Sequence, residues 1–313
     1  MGASGFITIT RKPFMLDNSC GAKGTINLME STQDLRQQAQ EIQESLETGS
    51  GIIWIGGVSE EVLQNGSSAE WFLAFSQMVG TPVSQSSQGE LILNVRNEAH
   101  GKQDNRTRGP NTNRKLGFHT DRCDIIGFLC LQPAKSGGEN QVVRSPEIEK
   151  IIARERPDLL HILRHPFPYK RHVVDSGNEL PFCEQPIFSL CKGFFACSYL
   201  RVLIDRADID PACPNLTSDQ KEALDFLDSV AEREALQTRF TLKRGDLLFL
   251  NNWTTLHRRT AFEDFEHPDK RRHLLRVWLS SPRSRPLDEC FQANFGTVEA
   301  GAVRGGMKPS FLS

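Results

Sequence analysis

No run of apolar residues in this sequence approaches the ~18 needed to span a membrane. The opening stretch MGASGFITITRKPF lacks the apolar segment of an export signal, so a cytoplasmic protein is expected. The chain begins Met-Gly, but Phe6 stands where a myristoylation motif needs Ser or Thr, which argues against lipidation. Basic excess is also lacking. The 37 Lys and Arg against 39 Asp and Glu leave a net charge of −2, without the footprint of a nucleic-acid binder. None of the eight cysteines forms a C-x-x-C pair, so reduced thiols are expected rather than a zinc site or disulfide framework. The one pairing to test is Cys191 with Cys197, which flank a turn at Lys192-Gly193. No G-x-G-x-x-G or Walker loop supports a nucleotide fold, and no H-E-x-x-H glutamate supports a zinc hydrolase. With no repeat and no Pro/Gly/Ser-rich linker, residues 1–313 are expected to form a single domain.

What is present reads as a globular chain, with 38% hydrophobic and 24% charged residues. Leu35, Ala39, Ile42 and Leu46 recur at helical spacing behind Ser31 and Asp34, which predicts a capped helix. GIIWIGG then reads as a short strand, Phe72, Phe75 and Val79 as a helix stopped by Gly80 and Pro82, and ELILNVR as a strand. Residues 96–115 are polar and loop-like, a candidate lid carrying Lys102, Arg106, Arg108, Arg114 and Lys115. KLGFHTD and IIGFLCL follow as strands. SPEIEKIIARERP is a helix with Ser145 as N-cap, and TSDQKEALDFLDSVAE is a second capped helix. These helices fall in a helix-containing insert region over 140–240. PIFSL and FFACSYL flank the Lys192-Gly193 turn, and RFTL, LLFLNN and RHLLRVWLS make the last third strand-rich. Strands in the middle and at the end, with helices in front and between, suit a β-barrel or sandwich decorated by helices better than a parallel βαβ sheet.

The chemistry rests on two blocks. In an extended GFHTD, His119 and Asp121 project to one side and Thr120 to the other, so an imidazole and a carboxylate can meet one metal. A lone H-x-D is weak, and on this motif alone a surface turn in which Asp121 caps His119 is the favoured reading. GDLLFLNNWTTLHRRT adds a distal His257, and RRHLLRVWLS places Arg272, Leu274, Arg276 and Trp278 on one strand face, with His273, Leu275, Val277 and Leu279 on the other. Two histidines and one carboxylate make a facial triad that leaves half of an octahedral iron open. Two arginines on an apolar strand need anions. A dicarboxylate ligand would serve, and so would Glu263 or Asp264; residue patterning leaves both open.

FHTD…CLQPAKSGGE…GDLLFLNNWTTLHRRTAFED…RRHLLRVWL resembles the taurine dioxygenase-like (TauD/TfdA) family of Fe(II)/2-oxoglutarate-dependent oxygenases. The resemblance implies a mainly β fold with helices, a double-stranded β-helix (jelly-roll, cupin-like barrel) with flanking and inserted helices. It implies His119, Asp121 and His257 as Fe(II) ligands, Arg272 on the distal carboxylate of 2-oxoglutarate, and Arg276 on the substrate or near the co-substrate. Asn140 stands where relatives often place a Thr that assists that carboxylate. Asp121 disfavours halogenation, because related halogenases lack this carboxylate. The implied reaction consumes O2, converts 2-oxoglutarate to succinate and CO2, and hydroxylates an unactivated C–H of a small polar, carboxylate-bearing metabolite such as an amino acid. Desaturation, cyclisation and a catalytically silent ligand-binding barrel remain alternatives, and self-association into a homo-oligomer is left open.

Overall fold

The computed structural model describes residues 32–64, 66–98, 109–171 and 180–308. The Ser31–Asp34 cap and half of the candidate lid, residues 99–108, lie outside the residues, or the side chains, so described. At the front, α1 (Thr32–Thr48) leads to β1 (Ile52–Ile55), α2 (Glu60–Gln64), α3 (Ser68–Val79), β2 (Thr81–Val83) and β3 (Ile92–Val95). Next come β4 (Ile125–Gln132), β5 (Ser136–Gly137), β6 (Asn140–Arg144), α4 (Ser145–Glu155) and α5 (Pro157–Leu163). Then follow β7 (Phe167–Lys170), β8 (Phe182–Gln185), β9 (Phe188–Cys191), β10 (Phe194–Cys197), α6 (Arg201–Asp208) and α7 (Ser218–Ala231). The chain returns through β11 (Gln237–Phe240), β12 (Leu247–Asn251), β13 (Thr255–Arg259), β14 (Phe262–Glu263) and β15 (His273–Ser280) to α8 (Gln292–Phe295).

Two antiparallel sheets build the frame. The larger runs β1-β12-β4-β15-β2, with β3 also paired to β15; the smaller runs β11-β6-β13. Both faces of the strands β4, β12, β13 and β15 are largely buried, in different cores, which explains why their apolar runs are nearly continuous. On β12, Leu247 and Phe249 face α1 and α3, while Leu248 and Leu250 face inward. On β15, Leu275, Val277 and Leu279 face the same helices, and Leu274 and Trp278 turn inward to meet Val142 and Phe240 of the smaller sheet. The other side of that sheet, Val143 and Leu256, is covered by α4, α5 and α7. Each such Leu, Ile or Phe contributes about 1.5–3 kcal/mol by leaving water, which is what drives the helices onto the sheets. The architecture is mainly β with helices, as expected.

Several local expectations need correction. KLGFHTD is not a strand: only His119 is bridged, to His257. Its neighbours spend their hydrogen bonds on side chains and loops, with Thr120 N donating to the Tyr199 carbonyl and Asp121 N to Asn252 Oδ1. The helix after β6 starts one residue early, with Arg144 as N-cap, because Ser145 Oγ donates to the Trp253 carbonyl instead of capping. Cys191 and Cys197 are both free. The turn holds two residues, Lys192 at φ 50° and Gly193 at φ 85°, so Cys191 faces Phe194 and Cys197 faces Phe188. Among the described residues, no helix is long and apolar enough to cross a membrane.

Candidate metal centre and co-substrate pocket

A cavity of about 1350 Å³ opens between the two sheets, and His119, Asp121 and His257 lie in its wall. The bridge that replaces the expected strand brings the two histidines together. His119 N donates to the His257 carbonyl at 3.1 Å and His257 N to that of His119 at 3.0 Å, and the ring centroids are 4.4 Å apart. One donor atom from each of His119, Asp121 and His257 lies within 4.8 Å of the others. His119 Nδ1 donates to the Gly117 carbonyl at 2.9 Å, which leaves Nε2 for a metal. Asp121 Oδ2 is buried without a hydrogen-bond partner, 3.8 Å from His257 Nε2 and 3.5 Å from Arg276 Nη1. A buried anionic oxygen with no donor costs several kcal/mol unless a cation meets it. The donor set therefore fits a divalent ion with imidazole and carboxylate ligands.

Electrostatics agree with that fit. Burial would raise the Asp121 carboxyl, but the Arg276 guanidinium and both imidazoles outweigh it and hold it below the usual range. Burial, aided by the His119 imidazole and opposed by Asp121, pushes His257 down to about 3. Neutral imidazole beside ionised carboxylate is the state a metal requires of its ligands.

Asn252 supports this geometry from behind. Its Oδ1 accepts from Asp121 N at 2.9 Å, and its Nδ2 donates to the carbonyls of Asp121 and of Cys123 (2.9 Å for the latter). The backbone that this side chain satisfies is that of Asp121, one of the three candidate ligands. Asn252→Ala is expected to weaken metal affinity about 10- to 100-fold, in the range for residues that orient ligands. Anaerobic Fe(II) titration measures this, and an unchanged affinity would show that the loop holds itself.

Both predicted arginines line the cavity, Arg276 by the alternation of β15 and Arg272 from just before that strand, where its pairing with β4 shifts register. Arg276 Nε donates to Gln85 Oε1 at 2.7 Å, and Gln85 Nε2 donates to the Arg276 carbonyl at 2.9 Å. Gln85 thus fixes both the side chain and the backbone of Arg276, and nothing in SQSSQ signalled it. Arg272 is buried, and burial pushes it down to about 10, with Cys130 and Asp264 opposing. Asp264 does not form a side-chain ion pair with it: Oδ1 accepts from Arg272 N at 2.8 Å. Arg272 Nη1 is left buried without a partner. The Gly-Gly step runs past this side chain in a backbone conformation that favours glycine. Gly137 and Gly138 take φ +69° and +72°; a Cβ on the first would strike the Ala261 carbonyl, and one on the second would sit 3.5 Å from Arg272 Nε. Asn140 lines the same wall, directly across from Arg259.

A family profile described as "Taurine catabolism dioxygenase TauD, TfdA family" matches residues 11–278. The chain belongs to the TauD/TfdA family of Fe(II)/2-oxoglutarate-dependent oxygenases. It is 30% identical over 266 residues to FR-33289 synthase of Streptomyces rubellomurinus (strain ATCC 31215), covering 83% of this chain and 77% of that protein. It is also 31% identical over 189 residues to the taurine hydroxylase-like protein SAT17 of Stachybotrys chartarum (strain CBS 109288 / IBT 7711), covering 56% of this chain and 48% of that one. Two solved structures share the fold. Asparagine oxygenase in complex with Fe(II), 2S,3S-3-hydroxyasparagine and succinate superposes with TM-score 0.61 at 16% identity, over 79% of this chain and 83% of that one. The non-haem iron oxygenase OrfP in complex with Fe and alpha-ketoglutaric acid gives 0.56 at 16%, over 80% and 84%. As a TauD/TfdA member, the chain is a non-haem iron, 2-oxoglutarate-dependent oxygenase.

Proposed function

We propose that His119, Asp121 and His257 hold the Fe(II), that Arg272 binds the distal carboxylate of 2-oxoglutarate with Asn140 beside it, and that Arg276 faces the substrate. On this reading the enzyme hydroxylates an unactivated C–H of a small anionic metabolite, one bearing a carboxylate as amino acids do. The observation that carries the substrate class is the sorting of charge. The whole chain is net −2, yet the described residues lining the cavity include eleven lysines and arginines against three carboxylates. Such a field concentrates anions and steers them inward.

Part of that charge is neutralised by neighbours: Arg201 is tied to Asp205, Asp225 and Asp228, and Lys115 to Glu232. Arg171 is not. It donates Nη2 to the Ala293 carbonyl at 2.7 Å, while its Nε and Nη1 are buried without partners. Beside it on α8, the Asn294 carbonyl accepts from Arg122 Nε. Arg171 is thus placed to receive an anionic group of the substrate at the wall formed by α8. The structural neighbours named above carry hydroxyasparagine and alpha-ketoglutaric acid, in keeping with amino-acid and keto-acid ligands.

The bound iron, 2-oxoglutarate and O2 supply the oxidising chemistry, in which 2-oxoglutarate becomes succinate and CO2. The chain's own residues fix the rest. Gln85 sets the reach of Arg276, Asn252 holds the Asp121 backbone, and the apolar wall of Val142, Leu248, Leu250 and Leu274 keeps water from the reacting centre. Desaturation or cyclisation would use the same residues with a different substrate geometry.

Arg272→Ala is expected to weaken 2-oxoglutarate binding at least about 100-fold, because a bidentate charge-assisted contact is lost, while Fe(II) still binds. Anaerobic titration of the visible charge-transfer band reads both. Loss of iron instead of keto acid would show that the arginine is misassigned. A panel of amino acids and other small carboxylates, with matched analogues lacking the carboxylate, is scored by succinate formation and tests the substrate class; if only compounds without an anionic group support turnover, that class is wrong.

A further inference from the structure

Resting on the iron and 2-oxoglutarate reading, we propose that Arg259 is a second arginine of the distal-carboxylate site, closing with Arg272 on one carboxylate and selecting keto acids that carry it. The register of β13 on β6 sets Arg259 opposite Asn140 and His257 opposite Val142, so Arg259 shares the inward face with His257. Arg258 turns the other way, to Glu232, Gln141 and the Phe118 ring. Arg259 and Arg272 are 5% and 4% exposed, and their guanidinium carbons lie 4.5 and 5.1 Å from the centroid of the same Phe262 ring. Each keeps a buried Nη1 with no hydrogen-bond partner.

Two like charges stripped of water beside one apolar ring are tolerated only where an anion completes the site. The nearest candidate within the chain does not complete it. Asp264 accepts from the Arg272 backbone with Oδ1, and its Oδ2 is buried without a partner. Two guanidiniums against that one carboxylate leave a single positive charge, which one further carboxylate balances. Arg259 is also held in advance: Nη2 donates to the Arg114 carbonyl at 3.0 Å, and its own carbonyl accepts from Leu116 N at 3.0 Å. A preorganised donor adds affinity without an ordering cost.

The test uses the Fe(II)-loaded protein under anaerobic conditions, titrated with 2-oxoglutarate and with 2-oxovalerate, which has a methyl group in place of the distal carboxylate. Arg259→Gln is expected to weaken 2-oxoglutarate about 10- to 100-fold and to leave 2-oxovalerate within about twofold. In the metal-free protein, Arg259→Gln is expected to melt no lower than wild type and to lose the stabilisation that succinate gives wild type. Arg259→Met serves as a second variant with the same expectations. Wild-type affinity for 2-oxoglutarate in either variant overturns the proposal. So does an equal loss of both keto acids, or failure of both variants to fold. If wild type itself binds no 2-oxoglutarate, the underlying co-substrate reading has failed, and the two failures are thereby distinguished.

Discussion

Asp121→Ala is expected to reduce iron binding by more than about 100-fold and turnover to background, since loss of a ligand exceeds the 10- to 100-fold cost of losing a residue that merely orients one. The carboxylate is the single anion among two imidazoles and Arg276, and its Oδ2 has no other partner. Alanine would remove the carboxylate that lies 3.5 Å from Arg276 Nη1, but Arg276 stays tethered by Gln85, so the fold is expected to persist while the metal is lost. Anaerobic Fe(II) titration with 2-oxoglutarate, followed by the charge-transfer band, measures binding. Succinate formation measures turnover. Asp121→Glu keeps the charge and moves it by one methylene, so partial recovery of binding is expected there. An alanine variant that binds iron and makes succinate as wild type does would remove Asp121 from the metal site.

The largest expected loss of stability lies three residues further on. Asp124 is buried and accepts four hydrogen bonds: Trp253 Nε1 and Arg304 Nε at 2.7 Å, Ser281 N at 2.9 Å and Ser280 Oγ at 3.2 Å. The Arg304 side chain is fully buried over the Trp253 ring, and its other nitrogens donate to the carbonyls of Arg285 and Glu299. Asp124→Ala strands that guanidinium without a counter-charge, a change worth about 3–5 kcal/mol. For a chain of this size the loss should lower the thermal midpoint by roughly 10 °C. Asp124→Ala combined with Arg304→Met should recover part of it, because the unpaired charge is then gone. Calorimetry or chemical denaturation reads both variants. A loss below about 1 kcal/mol for the single variant would mean that water reaches Arg304 and that the pair is not the fastening it resembles.

How much of this was legible varies residue by residue. Strand alternation set the two faces of β15 correctly, since Leu274, Arg276 and Trp278 do turn inward while Leu275, Val277 and Leu279 meet the helices. His119 and Asp121 were found for a partly mistaken reason. They do come together, with donor atoms within 4.8 Å of each other and of His257, but through a single bridge to His257 and the grip of Asn252, not through an extended strand. Arg259 was invisible. Nothing local in HRRT distinguishes the two adjacent arginines, and only the register of β13 on β6 turns Arg259 to the face of His257 and Arg258 toward Glu232 and Gln141. Gln85, 191 residues from Arg276, and Asp124, 180 residues from Arg304, had no local signal at all.

The residue types of the candidate metal site, their order along the chain and the arginine that follows are properties of the sequence, because chemistry fixes which side chains can hold a divalent metal and a dicarboxylate. Local periodicity likewise determined that strands and helices of these kinds would form. Which charges end up together was decided only by the tertiary structure. It set Arg259 beside Arg272 over one phenylalanine ring, buried Asp121 Oδ2 without a donor, and gathered positive charge in the cavity of a chain that is slightly acidic overall. Those juxtapositions come from pairing strands distant in sequence. The free energy of a buried charge depends on what the far end of the chain brings to it.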